Sequence, residues 1–367
     1  MKTRFSTDSL GNFVKVRTGK LDANANDPKG QYPFFTCAVE PLRINTHSFD
    51  CECVLVAGNG DLNVKYYEGK FDAYQRTYVI ESLNKSRLDV RYLFHFMSGY
   101  VQKLRELSIG GVIKYIKLNN LTDAEIPLPS LDEQRRIAAI LDKADAIRRK
   151  RQESISLTEE FLRSTFLEMF GDPVSNPKGW DRKEFGEIMF IDSPMVDPQS
   201  EQFLDLLHIG PDRIEKKTGK ILPALTARED RLISGKFLFD ERHVLYSKIR
   251  PLLRKAALPN FKGLCSADMY PIRPNAKFTN REFLWSILLS DAFTDFTQTI
   301  SSRANIPKIN RTELASYKCI TPPLELQNEY AKVLAKNTLI GTKLTNSTGY
   351  IDDLFAGLTH RAFSGEL

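Results

Sequence analysis

Cys51 and Cys53 flank Glu52, and on a strand, where successive side chains alternate faces, this spacing sets two thiols side by side. With a second Cys or His pair they would hold a soft metal or cycle as a redox couple. Cys37, Cys265 and Cys319 complete an odd count of 5 and supply neither a CxxC…CxxC nor a CxxC…HxxxH spacing, and the 5 histidines are scattered. The spacing favours buried strand cysteines, with a metal or redox site as the other reading. Gly219-Lys220 has the composition of a phosphate loop, but it follows Gly210 at the wrong spacing for GxxxxGK[ST] and runs into Ile221. ATP hydrolysis is therefore not expected. GxGxxG, HExxH and GxSxG are all missing, as is the Asn- or Asp-Pro-Pro-aromatic tetrapeptide that amino-methyltransferases use around a target base. These types and spacings support no catalytic centre.

The elements that would position any site come next. A chain of 367 residues, 42% apolar and 27% charged, has the composition of two or three ordinary globular domains. No run of roughly 18 apolar residues is present, and Met1 to Gly11 lacks an apolar core of signal-peptide length. A soluble, cytoplasmic protein without a membrane partner is expected. The net charge of +6 is uneven: +3 over 1–130, −1 over 131–172, +5 over 173–323 and −1 over 324–367. Anion binding is thus assigned to the two regions that precede the near-neutral ones.

The chain repeats itself. Shifted by 193 residues without a gap, 108–172 matches 301–365 at fourteen positions, among them Ile116 and Ile309, Pro129 and Pro322, Gln134 and Gln327, and Phe170 and Phe363. Each half ends in a segment of helical period. In the first, Ser130 and Glu133 have the spacing of a capping box, and Ile137, Ile140, Ala144, Ile147, Ile155, Phe161 or Leu162, Phe166 and Met169 follow until Gly171-Asp172-Pro173. In the second, Tyr330, Val333, Asn337, Ile340, Leu344, Ser347, Ile351, Leu354 and Leu358 alternate in threes and fours, as a coiled-coil seam does. The polar seam residues Arg151, Asn337 and Ser347 would fix register or meet a partner helix. The basic run at 148–151 reads as a solvated helix face, with nucleic-acid contact as the alternative.

The preceding regions read as mixed α/β. Strands are expected within 33–57, at 77–80, over Phe203–Ile209 and over Val244–Arg250, with helices at 90–106 and 281–297. The fold class is therefore α+β: two globular α/β domains in an internal repeat, each followed by a long helix, with the two helices packing as a pair. The expected boundaries are 1–130, 131–172, 173–323 and 324–367.

Three stretches resemble a known family. Leu128-Pro129-Ser130-Leu131-Asp132-Glu133-Gln134-Arg135-Arg136-Ile137, then Phe170-Gly171-Asp172-Pro173 with Asn176-Pro177-Lys178-Gly179-Trp180, and Ala362-Phe363-Ser364-Gly365-Glu366-Leu367 are similar to the repeated regions of type I restriction-modification specificity subunits. Thr18-Gly19-Lys20-Leu21-Asp22 and Gln31-Tyr32-Pro33-Phe34-Phe35 resemble the opening of that family's target recognition domains. The resemblance implies a non-catalytic subunit whose two recognition domains each read half of a split double-stranded DNA target. It further implies that the two long helices run antiparallel and separate the domains in a pseudo-two-fold repeat, set the gap and dock methyltransferase subunits. No cofactor is then expected in this chain; S-adenosylmethionine belongs to the methyltransferase, and ATP and Mg to a motor subunit that cleaves DNA. A stand-alone DNA-binding protein and a coiled-coil scaffold are the alternatives.

Base readout needs donors and acceptors that enter a groove, while phosphates are held by cations, hydroxyls and turn amides. The candidate DNA contacts are Arg17, Thr18, Lys20, Asn59, Lys65, Tyr66, Arg76 and Lys114 in the first domain. In the second they are Lys248, Arg250, Arg254, Lys255, Arg303, Asn305 and Lys308. Gly110-Gly111 and Arg303-Ala304 fall at equivalent loop positions under the 193-residue shift.

Overall fold

The computed structural model describes residues 3–191, 194–301 and 307–367. The chain forms two compact units, one of residues 1–152 with 346–367 and the other of 153–345.

Unit 1 contains strands β1 (Thr7–Ser9), β2 (Val14–Thr18), β3 (Tyr32–Phe35), β4 (Leu42–Ile44), β5 (Phe49–Ala57), β6 (Val64–Ala73), β7 (Thr77–Ser82) and β8 (Glu125–Pro127). Its helices are α1 (Val90–Leu107), α2 (Asn119–Thr122) and the first part of α3 (Leu131–Phe170). Six strands form one sheet in the order β2-β7-β5-β6-β3-β4, antiparallel except for β3 beside β6. β5 shows why the sheet is buried on both faces. Val54 and Val56 point into the core beneath α1, whereas Cys53 and Leu55 point the other way into a smaller core with Phe35, Phe49 and Phe71. The chain leaving the edge strand β2 meets the end of β6 at Gly19, where any Cβ would lie 1.8 Å from the Ala73 carbonyl oxygen.

Unit 2 holds β9 (Arg182–Glu184), α4 (Phe185–Ile188), β10 (Met189–Phe190), β11 (Met195–Val196), β12 (His208–Ile209), β13 (Lys236–Phe239), β14 (Val244–Ser247), β15 (Ala256–Ala257), β16 (Gly263–Cys265), β17 (Met269–Pro274), α5 (Arg281–Leu289), α6 (Asp291–Ser301), α7 (Arg311–Ala315), β18 (Lys318–Ile320) and the first part of α8 (Leu324–Ser364). Its strands make two four-stranded sheets, β10-β17-β14-β15 and β11-β13-β16-β12, and a β9-β18 pair. β14 takes the role of β5, sending Val244 and Tyr246 into one core and Leu245 into another.

α3 and α8 each contribute to both units. In unit 1, Ile137 and Leu141 share a core with Ala362 and Phe363, and Arg148 lies 4.7 Å over the Phe355 ring. In unit 2, Phe166 and Phe170 pack on Tyr330, and Asn337 Nδ2 donates to the Thr158 carbonyl at 3.0 Å. Rising numbers on one helix meet falling numbers on the other, so the pair is antiparallel within each unit. Asn337 thereby fixes register, the task a polar seam residue performs.

Each helix is tied to its globular part by the repeated glutamine. Gln134, 1% exposed, donates to the carbonyls of Arg87 and Pro129 and accepts from the Asp89 amide. Gln327, 0% exposed, donates to Phe278 and Pro322 and accepts from the Asn280 amide and the Thr279 hydroxyl. Asp89 and Asn280 are themselves the N-caps of α1 and α5, accepting from the amides of Tyr92 and Phe283. Those rings then meet the repeated phenylalanines, Tyr92 on Phe363 at 5.1 Å and Phe283 on Phe170 at 4.9 Å.

Several expectations need correction. The buried stripe of α8 runs through the expected Tyr330 and Asn337 but also through Leu334, with Phe355 partly buried, while Ile340 and Leu354 are 53% and 62% exposed. In α3, Leu141 and Phe170 are buried, and Ile147 and Phe161 lie outward. The capping box is half formed, because Ser130 Oγ accepts from the Glu133 amide but the Glu133 carboxylate bonds Arg136 instead of turning back. Phe203–Ile209 yields only the two-residue β12. The expected helix 281–297 breaks at Ser290, whose Oγ caps α6 through the Phe293 amide.

Gln134→Ala is expected to destabilise unit 1, and Gln327→Ala unit 2, by on the order of 2–4 kcal/mol, since buried carbonyls and amides lose their partner. Denaturant unfolding measures the loss, and faster hydrogen exchange at the Asp89 or Asn280 amide locates it.

Candidate nucleic-acid interface

β5 ends in the turn Gly58-Asn59-Gly60-Asp61, against which the segment Lys114-Tyr115-Ile116 is laid. The Gly60 amide donates to the Lys114 carbonyl at 3.0 Å, and the Ile116 amide donates to Gly58 at 2.9 Å. Asn59 and Tyr115 form the bridge between these bonds. Ile116 is buried, and its carbonyl accepts from the Tyr78 hydroxyl at 3.2 Å.

Unit 2 repeats this bond for bond. After β14 the Arg250 amide donates to Pro307 at 2.7 Å, the Ile309 amide to Lys248 at 2.9 Å, and Ile249 bridges to Lys308. Buried Ile309 accepts from the Tyr270 hydroxyl at 3.2 Å. Residues 307–309 are 114–116 shifted by 193, so the repeat seen in the sequence is a repeated loop anchor. Above it in unit 1, Ile109 and Tyr115 exchange two backbone bonds and leave Val112 and Ile113 exposed. Arg303, Asn305 and the rest of the equivalent loop lie outside the described residues.

The anchors gather most of the candidate residues. Arg76 joins Asn59 and Lys114 through the Gly58 amide, which donates to the Arg76 carbonyl at 2.7 Å. The Gly19 amide bonds Thr77 and sets Thr18 and Lys20 beside the same strand end. Lys65 is half-buried on Asn63, and burial holds its ammonium below the usual lysine value. In unit 2, Lys248 and Lys308 both lie 3.9 Å from Asp268, Lys255 donates to the Pro211 carbonyl, and Arg254 pairs with Asp291 at 2.6 Å. Arg250 is exposed.

Arg17 and Tyr66 are held elsewhere. Arg17 bonds Glu81 and lies 4.7 Å over Phe49. Tyr66 donates to Glu52 at 2.9 Å beneath the Arg91 guanidinium, which grips Asp142 of α3 through Nε and Nη2. Asp142 also accepts from His95 Nε2 at 2.8 Å, and His95 is 2% exposed. This chain of contacts ties the sheet through α1 to α3.

The backbone at the unit 2 turn is unusual. Arg250 and Arg254 adopt φ of 47° and 49°, the left-handed region, which costs a side-chain-bearing residue about 1–2 kcal/mol. Gly60, at the position equivalent to Arg250, has φ of 67° and bears no such cost.

The tripeptide Thr-Gly-Lys occurs twice, at 18–20 and 218–220, a sequence signal that the 193-residue shift does not bring together. Both glycines press on an alanine carbonyl, Gly19 on Ala73 and Gly219 on Ala256, where a Cβ would lie 1.8 and 2.2 Å away. Gly219-Lys220 is thus a close-packed turn. Its neighbour Lys217 donates its amide to Arg254, adding a cation to the unit 2 turn.

The thiols are quiet. Burial pushes the Cys51 thiol up to about 11 and raises Cys53 further, so both stay protonated. Among the described residues no group of three or more His, Cys, Asp or Glu is placed to hold a metal ion. No described helix is long and apolar enough to cross a membrane.

The family model for the type I restriction modification DNA specificity domain matches residues 4–158 and 231–348. The chain is 35% identical over 401 aligned positions to the type I restriction enzyme EcoDI specificity subunit of Escherichia coli, covering 99% of this chain and 88% of that one. It is 23% identical to the putative type I restriction enzyme MjaX specificity subunit of Methanocaldococcus jannaschii, over 74% and 67% of the two chains. In fold it is similar to the crystal structure of the S subunit of a type I restriction-modification system from M. genitalium, with a TM-score of 0.65, 16% identity and coverage of 98% and 96%.

Burial lowers the His95 pKa below its ordinary 6.5, against the opposing pull of Asp142. The unfolded chain therefore takes up a proton that the folded chain refuses, and this contribution to stability is present above about pH 6.5 and lost below it. Denaturant unfolding from pH 8 to pH 5 is expected to show that acid limb, and His95→Gln to remove it.

Proposed function

Because the chain belongs to the family of type I restriction-modification DNA specificity subunits, we propose that each unit reads one half of a bipartite double-stranded DNA target through the turn at its loop anchor. It is a recognition subunit and not an enzyme. The observation that carries the reading is the anchor itself, the same three backbone contacts and tyrosine bond in both units, each presenting exposed cations from a basic globular region. Two copies of one frame with different side chains suit two different half-sites. Lys20, Arg76, Lys114, Arg250 and Lys308 would meet backbone phosphates or base edges as cations do.

On this reading α3 and α8 set the unread gap and dock methyltransferase subunits. Their outward apolar residues, Ile147, Leu157 and Phe161 on α3 and Leu339, Ile340 and Leu354 on α8, offer partner surface, each at least half exposed. S-adenosylmethionine would reside in the methyltransferase, and ATP and Mg in a motor subunit; this chain supplies selection of sequence alone.

Adenine-methylation mapping tests the proposal. DNA from cells expressing this chain with its methyltransferase is expected to carry a split methylated motif that is missing with the methyltransferase alone. A verified complex that yields no new motif would sink it, and salt-independent indifference to DNA would favour a scaffold instead.

A further inference from the structure

We infer that Arg250 is a specificity-determining residue, reading a guanine in the half-site taken by unit 2. The inference rests on the DNA-reading role proposed above and goes beyond it by naming the residue and the base.

The equivalence of Arg250 with Gly60 is fixed by the anchor, since each donates its amide to the residue related by the 193-residue shift, Pro307 and Lys114. Both stand in the left-handed region, where glycine is at ease and arginine is not. Pro251 follows Arg250 and disfavours its relaxing into the right-handed helical region. A fold needing only the turn would be served better by glycine, as unit 1 is.

The side chain does no internal work to offset this. Arg254, Lys255, Lys248 and Lys308 have acidic or carbonyl neighbours, whereas the exposed Arg250 guanidinium has no hydrogen-bond or ion-pair partner among the described residues. Its backbone is held at both ends, the amide on Pro307 and the carbonyl on the Leu253 amide, so the guanidinium springs from a fixed base. A phosphate is satisfied by any mobile cation nearby. A two-pronged contact to guanine O6 and N7 needs a fork at a set position and angle, and that requirement accounts for an arginine kept where glycine fits.

The full chain is co-purified with its methyltransferase as wild type, Arg250→Gly and Arg250→Asn, asparagine being tolerant of the left-handed region. Methylated motifs and thermal midpoints are measured for all three. Both variants are expected to lose discrimination at one G·C pair of one half-site by roughly ten- to hundredfold, with the other half-site and the gap unchanged. Arg250→Gly is further expected to melt no lower than wild type.

Unchanged motifs in both variants would overturn the inference and leave the role of the chain standing. So would an even loss of methylation across all sequences with a shallower salt dependence, the mark of a phosphate contact. A lowered midpoint with an unchanged motif would make Arg250 structural. A wild-type complex that methylates no split motif would overturn the underlying role and this inference with it.

Discussion

One buried amide side chain in the first turn of each long helix holds the architecture together. Gln134 and Gln327 stand where three requirements meet: a helix beginning after proline, a second helix needing its N-cap placed, and a chain crossing between them. A carboxamide suits that position because it donates twice and accepts in one plane, and its nitrogen and oxygen both meet backbone groups. An apolar residue would strand those groups, and a glutamate would meet two carbonyls with oxygen. The phenylalanines that close the cores, Phe363 and Phe170, find their rings only because the caps at Asp89 and Asn280 are already set.

The same economy governs the turns. A shared backbone frame carries Gly58, Asn59 and Gly60 in one unit and Lys248, Ile249 and Arg250 in the other, opposite Lys114-Tyr115 and Pro307-Lys308. Every hydrogen bond that defines the frame is made by main chain or by the remote Tyr78 and Tyr270. Side chains at the turn are thereby released from structural duty, and different residues occupy it without disturbing what lies beneath. Tyr66 and Arg17 show the converse, polar groups that have spent their hydrogen bonds on Glu52 and Glu81.

Much of this was legible in the sequence, and the rest was hidden for physical reasons. Both helices and the repeat were readable because helical period is a local property and a fixed offset can be read from the residue order alone. In α8 the seam holds at Tyr330 and Asn337 but departs at Ile340 and Leu354, because Gly341 faces Thr158 with no apolar signature while Ile340 beside it carries one and is exposed. The expected strand over Phe203–Ile209 shortens to β12 because a 3₁₀ segment, Glu201–Phe203, runs into a turn closed by the Leu206 amide on the Phe203 carbonyl before pairing begins. The anchor was visible only as equal offsets; its partners at Gly58 and Lys248 are distant in sequence and reveal themselves once strands pair. That Tyr66 faces Glu52 and Arg91 depended on packing of α1 against the sheet, which composition does not specify.

The discontinuity of unit 1 bears on the order in which the protein takes shape. Phe363 lies in the same core as Val54 and Tyr92, and the Arg4 amide bonds the Ser364 carbonyl. Unit 2, an unbroken stretch of chain, has all its residues once synthesis passes Thr345, whereas the sheet of unit 1 waits for 346–367. The core of unit 1 therefore stays open until the end of the chain arrives, and in that interval its apolar surface is exposed in the way that makes nascent chains aggregation-prone.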